Sequence, residues 1–187
     1  MLERLFQSKT RNSILAIFIL KHFSGSIRAI AKEIKCSPMQ ARNELINLEL
    51  AGVLTSKDIA NAKIYSINQK CPYINELSSL VAKAAGFDIR IKEALNGIVG
   101  IEVAFIYGSY ANNKFTGKSD LDLFIIGNPD MKIVNSRIFK LQQKIEVEIN
   151  VSVYDKKEFN NRKKHGFIKN ILEGSRVMIM GDEYELG

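Results

Sequence analysis

Two aspartates, Asp120 and Asp122, are separated by one leucine and lead into the apolar residues 123 to 126. Side chains at positions i and i+2 of a strand point to the same face, so the two carboxylates are expected to lie side by side. No Lys or Arg lies between them, and the two negative charges therefore repel each other. A divalent cation that prefers oxygen ligands, Mg²⁺ or Mn²⁺, would remove that cost. The pair predicts a metal site; the alternative is a strand-turn-strand segment with a charged edge.

The elements that would position this pair precede it in the chain. Residues 103 to 107 form an apolar run that predicts a buried strand, and Gly108-Ser109 follows at once. Ten residues then separate Ser109 from Asp120. The pattern therefore predicts two neighbouring strands joined by a loop, with the glycine and the aspartates near the same end.

This arrangement resembles the nucleotidyltransferase superfamily that includes DNA polymerase beta, in particular its short, minimal nucleotidyltransferase branch. The family pattern is an apolar residue, Gly, then Ser or Gly, a gap near ten residues, and Asp-apolar-Asp. Here these positions are occupied by Tyr107-Gly108-Ser109 and Asp120-Leu121-Asp122. The resemblance implies metal-dependent transfer of NMP from an NTP to an acceptor, with Mg²⁺ or Mn²⁺ bound by the carboxylates.

The same resemblance implies roles for residues between the two parts of the motif. Gly108 would let the backbone approach the substrate closely, and Ser109, at a helix start, would bind phosphate oxygens. Lys118, together with Lys114, would neutralise triphosphate charge. The alternative for both lysines is a solvated loop side chain.

A third carboxylate is expected from a later strand. Residues 145 to 153 alternate cleanly and predict a strand with Glu146 and Glu148 on its polar face. We favour Glu148 because it lies inside the strand, and because Glu148-Ile149-Asn150 resembles the Glu-apolar-Asn seen here in winged-helix fusions of the family. Many relatives have Asp at this position, so the longer Glu side chain is a departure from the family pattern.

The first 70 residues show another pattern. Helices are expected at residues 10–22, 26–34 and 38–51, with Ser37 and Gln40 forming a capping box at the start of the third helix. Strands are expected at 53–56 and 63–67, joined by a turn at 57–62. This order resembles a winged helix-turn-helix, whose third helix enters the major groove of duplex DNA.

The resemblance implies two kinds of DNA contact. Base edges would be read from the third helix, by Gln40, Arg42 and Asn43. Phosphates would be contacted by Arg28, Lys57 and Lys63. The alternative for each residue is a solvated surface, and winged helices also mediate protein contacts.

Charge and composition bear on the partners and the compartment. The formal net charge is +7, and residues 1–86 hold 12 Lys and Arg against 6 Asp and Glu, which favours a nucleic-acid partner for that half. No apolar run approaches the roughly 18 residues of a membrane span. Cys36 and Cys71 suggest no disulfide framework and favour a reducing, cytoplasmic location.

The expected fold class is therefore α+β. We predict a winged helix-turn-helix at residues 1–70, linker helices at 71–97, and a nucleotidyltransferase domain at 98–187 with a mixed sheet and flanking helices. The helix at 73–85 could also support a homodimer. The acceptor, protein or RNA, is not visible in the sequence. Two alternatives to an enzyme are a transcriptional regulator that senses nucleotide and the antitoxin of a toxin–antitoxin pair.

Overall fold

A computed structural model describes residues 8–116 and 119–187. The chain divides into two compact units; of the described residues, the first holds 8–85 and Thr116 and the second holds 86–115 and 119–187. The segment expected to be a linker, residues 71–97, is split between them: residues 71–85 belong to the first unit and residues 86–97 to the second. Within the described residues, no helix is long and apolar enough to cross a membrane.

The first unit is a winged helix-turn-helix. Its helices are α1 (Lys9–Leu20), α2 (Ile27–Glu33), α3 (Pro38–Leu50) and α4 (Ile74–Ala84). Its strands are β1 (Gly25–Ser26), β2 (Leu54–Ile59) and β3 (Ala62–Ile67), paired antiparallel in the order β1-β3-β2. The apolar stripe of each helix faces one core, which contains the fully buried Ile14, Phe18, Ile30 and Leu45.

The ends of α3 are set by the residues expected to set them. Ser37 and Gln40 form the predicted capping box, and Pro38 occupies the first helical position. After the helix, Gly52 takes a φ of +73°, a conformation that glycine adopts without strain.

The hairpin differs from the prediction in its length. The six-residue turn expected at 57–62 is wrong, because β2 continues through Ile59 and pairs it with Ala62. The connection is only Ala60-Asn61, and Ala60 has a φ of +51°. Tight hairpin turns are normally signalled by glycine at such a position, and its absence hid the turn in the sequence.

The second unit is a four-stranded mixed sheet with helices on both faces. Its strands are β4 (Ile101–Tyr107), β5 (Leu121–Gly127), β6 (Ile149–Tyr154) and β7 (Val177–Met180), in the order β6-β5-β4-β7. Only β5 and β6 pair in parallel. Its helices are α5 (Phe87–Leu95), α6 (Gly108–Ala111), α7 (Met131–Ile145), α8 (Lys156–Arg162) and α9 (Gly166–Glu173), and a 3₁₀ turn spans Glu183–Leu186.

Strand alternation divides the core of this unit between the two faces. One face packs Phe105 and Phe124 against Phe159 of α8 and Ile168 of α9. The other face carries buried alternate residues of β4 and β5, and there α5 lies against β7 and α7. Asp122, two residues before Phe124 in β5, lies on the α8–α9 face.

The strand expected at 145–153 begins later than predicted. Helix α7 continues through Ile145, Glu146 is its C-cap with a φ of +54°, and β6 starts at Ile149. Leu141 and Ile145 are four residues apart and both buried, so Ile145 fits a helical stripe as well as an alternating strand. Because Ile145 fits both periodicities, the start of β6 was predicted too early in the chain.

Candidate active site

The two aspartates converge at the start of β5. Asp122 is the second residue of the strand and half-buried, while Asp120 immediately precedes it and is exposed. Asn150, the register partner of Asp122 on the parallel strand β6, donates its amide Nδ2 to both carboxylates. The distances are 3.3 Å to Asp120 Oδ2 and 3.4 Å to Asp122 Oδ1. One amide therefore spans the pair and holds the two carboxylates together.

The two candidate glutamates lie differently. The Glu148 carbonyl accepts a hydrogen bond from the Leu121 N–H at 2.9 Å, so Glu148 directly precedes β6 beside the start of β5, with an exposed side chain. Glu146 is the C-cap of α7 and lies outside β6. Across residues 8–116 and 119–187, no three Asp, Glu, His or Cys residues come close enough to hold a metal ion between them. The side-chain amide of Asn150 contacts both aspartates.

Gly108 lies directly against the side chain of Asp122. Its φ is +72°, and a Cβ built on it would lie 2.4 Å from Asp122 Oδ2, well inside van der Waals contact. Tyr107, directly before it, is the cross-strand partner of Asp122. The glycine of the motif thus lets the end of β4 lie against the carboxylate, which would have to move if a Cβ were added.

The residues after Gly108 form a one-turn helix with internal bonds. The Ser109 carbonyl accepts from the Lys114 N–H at 2.8 Å, and Asn112 donates its side-chain amide to the Gly108 carbonyl at 2.9 Å. Ser109 is half-buried and Lys114 exposed. Lys118 lies outside the described residues.

Tyr107 belongs to the site although the sequence argument gave it no role there. Burial raises the pKa of its phenol, the negative charge of Asp122 adds to the rise, and a hydrogen bond with Ser152 opposes it. The phenol therefore stays neutral at neutral pH. Its ring contacts Phe124 and Phe167, with centroids 6.2 and 6.1 Å away.

The roles of Asn150 and Ser152 were also missed, although one signal was available. The alternation of β6 had placed both on the same face as Glu148. What the sequence could not give was the parallel register, which sets Asn150 rather than Glu148 opposite Asp122.

In the first unit, the candidate base-reading residues lie on α3 and are exposed. Arg42 and Asn43 project from its first two turns. Gln40 is exposed too, but its side-chain amide oxygen Oε1 accepts hydrogen bonds from the Ser37 N–H at 3.2 Å and from the Ser37 hydroxyl at 3.1 Å. The capping box therefore occupies the Gln40 oxygen and leaves its amide N–H₂ outward.

The candidate phosphate contacts are exposed on α2 and on the hairpin. Arg28 lies on α2 and Lys57 on β2. Lys63, on β3, donates to Glu49 at 3.0 Å, and this bond raises the pKa of Lys63. Hydrogen bonds from Ser56 and Lys63 in turn lower the pKa of Glu49. The charge of Lys63 is thus partly balanced within its own unit.

Comparison with known proteins relates the second unit to a protein family. Residues 90–184, half of the chain, match the family model described as "Polymerase beta, Nucleotidyltransferase". The Methanocaldococcus jannaschii protein named "Putative protein adenylyltransferase MJ0604" is 34% identical over 93 residues, which make up 47% of this chain and 93% of that protein.

Two solved structures show weaker similarity. A mutant of the Lactococcus lactis protein ZitR is 18% identical with a TM-score of 0.38, and the match covers 48% of this chain and 60% of that one. A mutant of the toxin–antitoxin MntA–HpeT is 12% identical with a TM-score of 0.38, covering 52% and 76%. The match therefore covers less than two thirds of the ZitR chain.

The family match begins within α5 and ends after β7, so it covers nearly the whole second unit, including the Gly108 turn and the aspartate pair. A stretch of 93 residues of this chain also aligns, at 34% identity, with 93% of the length of the Methanocaldococcus jannaschii protein. Sequence, geometry and comparison agree, and this chain belongs to the polymerase beta nucleotidyltransferase family.

Proposed function

We propose that this protein is a metal-dependent nucleotidyltransferase that transfers NMP from an NTP to a macromolecular acceptor and binds duplex DNA through its winged helix. The observation that carries the proposal is the aspartate pair. Asp120 and Asp122 are spanned by one amide and one of them is pressed against Gly108. Two like charges this close repel each other, and a divalent cation would offset that repulsion.

The residues present fit a divalent cation. One amide lies within 3.4 Å of both carboxylates, so oxygens of the two groups come within a few ångströms of a common point. The donors are all of the oxygen type that Mg²⁺ and Mn²⁺ prefer. Asp120 and Asp122 would hold the ion, and Glu148, which directly precedes β6 and has an exposed side chain, is the proposed third carboxylate once that side chain turns toward the pair. A bound ion would supply charge stabilisation at the transferring phosphate.

The amide of Asn150 has two uses in this proposal. With its N–H₂ toward the pair, it stabilises the carboxylates by hydrogen bonds. Rotation of the amide by half a turn would present Oδ1, an oxygen donor, in the same place. Asn150 would thus contact the aspartates without a cation and a cation held between them, and it adds no third negative charge.

The chain's own residues also provide for the nucleotide. Ser109 follows Gly108 in a one-turn helix, and its hydroxyl and the backbone N–H groups of that turn are the proposed partners of the triphosphate oxygens. Lys114 is exposed in the following loop and is the proposed counter-charge, as is Lys118. The family relative is named a protein adenylyltransferase, and we therefore place AMP transfer to a protein first among the candidate reactions.

The proposal for DNA rests on the first unit. Arg42 and Asn43 are exposed on α3, the helix that enters the major groove in winged-helix proteins. Arg28 and Lys57 are exposed on neighbouring elements, where they would contact phosphates. Among residues 1–86, positive side chains outnumber negative ones by 12 to 6.

The test is transfer of label from [α-³²P]NTP in the presence of Mg²⁺, with the proteins and RNAs of the cell as acceptors. Asp120→Asn and Asp122→Asn should abolish labelling, while Asp182→Asn, an exposed aspartate outside the site, should not. Sensitivity of the product to protease or to ribonuclease identifies the acceptor class. Wild-type protein that binds NTP with Mg²⁺ but labels no acceptor would favour the regulator that senses nucleotide.

A further inference from the structure

Phe167, at the start of α9, lies at the exposed end of a series of packed rings. Phe105, Phe124 and Phe159 are buried on the α8–α9 face of the sheet, and Phe124 stacks on Tyr154 with centroids 5.2 Å apart. Tyr107 contacts Phe124 on one side and Phe167 on the other. Phe167 is 52% exposed, so roughly half of its surface faces solvent.

The location of Phe167 relates it to the active site. Its ring centroid is 6.1 Å from that of Tyr107, which precedes Gly108 and pairs across the sheet with Asp122. An exposed aromatic ring therefore lies one side chain away from both the carboxylate pair and the proposed phosphate turn. The base of a bound NTP must also lie beside its phosphates, at the distance set by one ribose.

Exposure alone would not single Phe167 out. Scattered exposed apolar side chains are ordinary on soluble domains. Phe139, on α7, is 60% exposed and makes no ring contact with Tyr107 or any other described aromatic of the site. The difference between the two phenylalanines is position, which makes Phe139 the natural control.

We propose that Phe167 is the stacking surface for the base of the nucleotide whose phosphates bind at the Gly108 turn. The inference rests on the proposed function. It assigns to Phe167 the binding of the base, which neither the carboxylates nor the Gly108 turn would contact. Stacking on an aromatic face tolerates any base, so Phe167 supplies affinity for nucleotides over bare polyphosphate.

The test compares MgATP with magnesium tripolyphosphate, which carries similar charge and no base. By calorimetry, Phe167→Ala should weaken ATP binding by about 5- to 100-fold and leave tripolyphosphate binding within about twofold of wild type. Phe167→Tyr should bind ATP about as tightly as wild type, because it keeps an aromatic face. Phe139→Ala should leave the affinities for ATP and for tripolyphosphate unchanged. Thermal unfolding of each variant checks that the fold is kept.

A second measurement uses the absence of tryptophan from the chain. In Phe167→Trp the introduced indole is the single tryptophan, and stacking should change its fluorescence with MgATP but not with tripolyphosphate. Phe139→Trp should respond to neither. The base-stacking role alone would be overturned if wild type and Phe167→Ala bound ATP with equal affinity. It would also be overturned if Phe167→Ala lost the same affinity for ATP and for tripolyphosphate. Failure of wild type to bind either ligand would overturn the proposed function with it.

Discussion

Replacing Gly108 with alanine should disable the active site while leaving most of the fold intact. Gly108 has a φ of +72°, where a Cβ costs about 1–2 kcal/mol. The new Cβ would also lie 2.4 Å from Asp122 Oδ2, whereas ordinary contact begins at 3.4 Å. The carboxylate must therefore move by roughly 1 Å, a displacement that can cost about 100-fold in a preorganised site.

The control for this experiment is Gly97→Ala in the same unit. Gly97 has a φ of +74°, but a Cβ there would meet no atom within 4 Å. Urea unfolding should show similar losses of about 1–2 kcal/mol from backbone strain in both variants, with a further loss in Gly108→Ala. Calorimetric titration with MgATP should show a loss of binding only in Gly108→Ala. If Gly108→Ala binds MgATP as well as Gly97→Ala does, the close approach of Gly108 to Asp122 has no part in substrate binding.

Three further substitutions test other parts of the account. Asn150→Asp places a third carboxylate 3.3–3.4 Å from the pair, adding repulsion of about 1 kcal/mol for each neighbour at the dielectric of water. Its urea midpoint should fall without metal and recover with Mg²⁺ far more than that of wild type; an equal Mg²⁺ response in both proteins would argue against a cation there. Glu49→Gln removes the partner of Lys63, so DNA affinity measured against salt should steepen by about 0.9 in log–log slope if Lys63 then contacts a phosphate. An unchanged slope would exclude that contact. Arg42→Ala should cost roughly 1–3 kcal/mol more on a specific site than on random DNA, and equal losses on both would make Arg42 a phosphate contact.

Much of the local structure could be predicted because short-range chemistry decides it. The Ser37–Gln40 capping box and the glycine after α3 set helix ends through neighbouring residues alone. The convergence of Asp120 and Asp122 follows from the two-residue period of a strand.

Other features depend on long-range pairing and could not be predicted. Nothing local to Asn150 indicates that it lies opposite Asp122, because β5 and β6 are separated in the chain by α7 and their register depends on distant residues. The start of β6 was misplaced because Ile145 fits two periodicities. The contact between Phe167 and Tyr107 joins residues 60 positions apart and is visible only in the folded unit.

The central claim is that Asp120 and Asp122 bind a divalent cation together with a nucleotide. Its most direct test is calorimetric titration of ATP into wild-type protein and into the Asp120→Asn/Asp122→Asn double variant, each with Mg²⁺ and with EDTA. The account predicts that Mg²⁺ strengthens ATP binding to wild type by about tenfold or more, which is about 1.4 kcal/mol, and that the double variant loses this gain. Equal ATP affinities in all four titrations would contradict it.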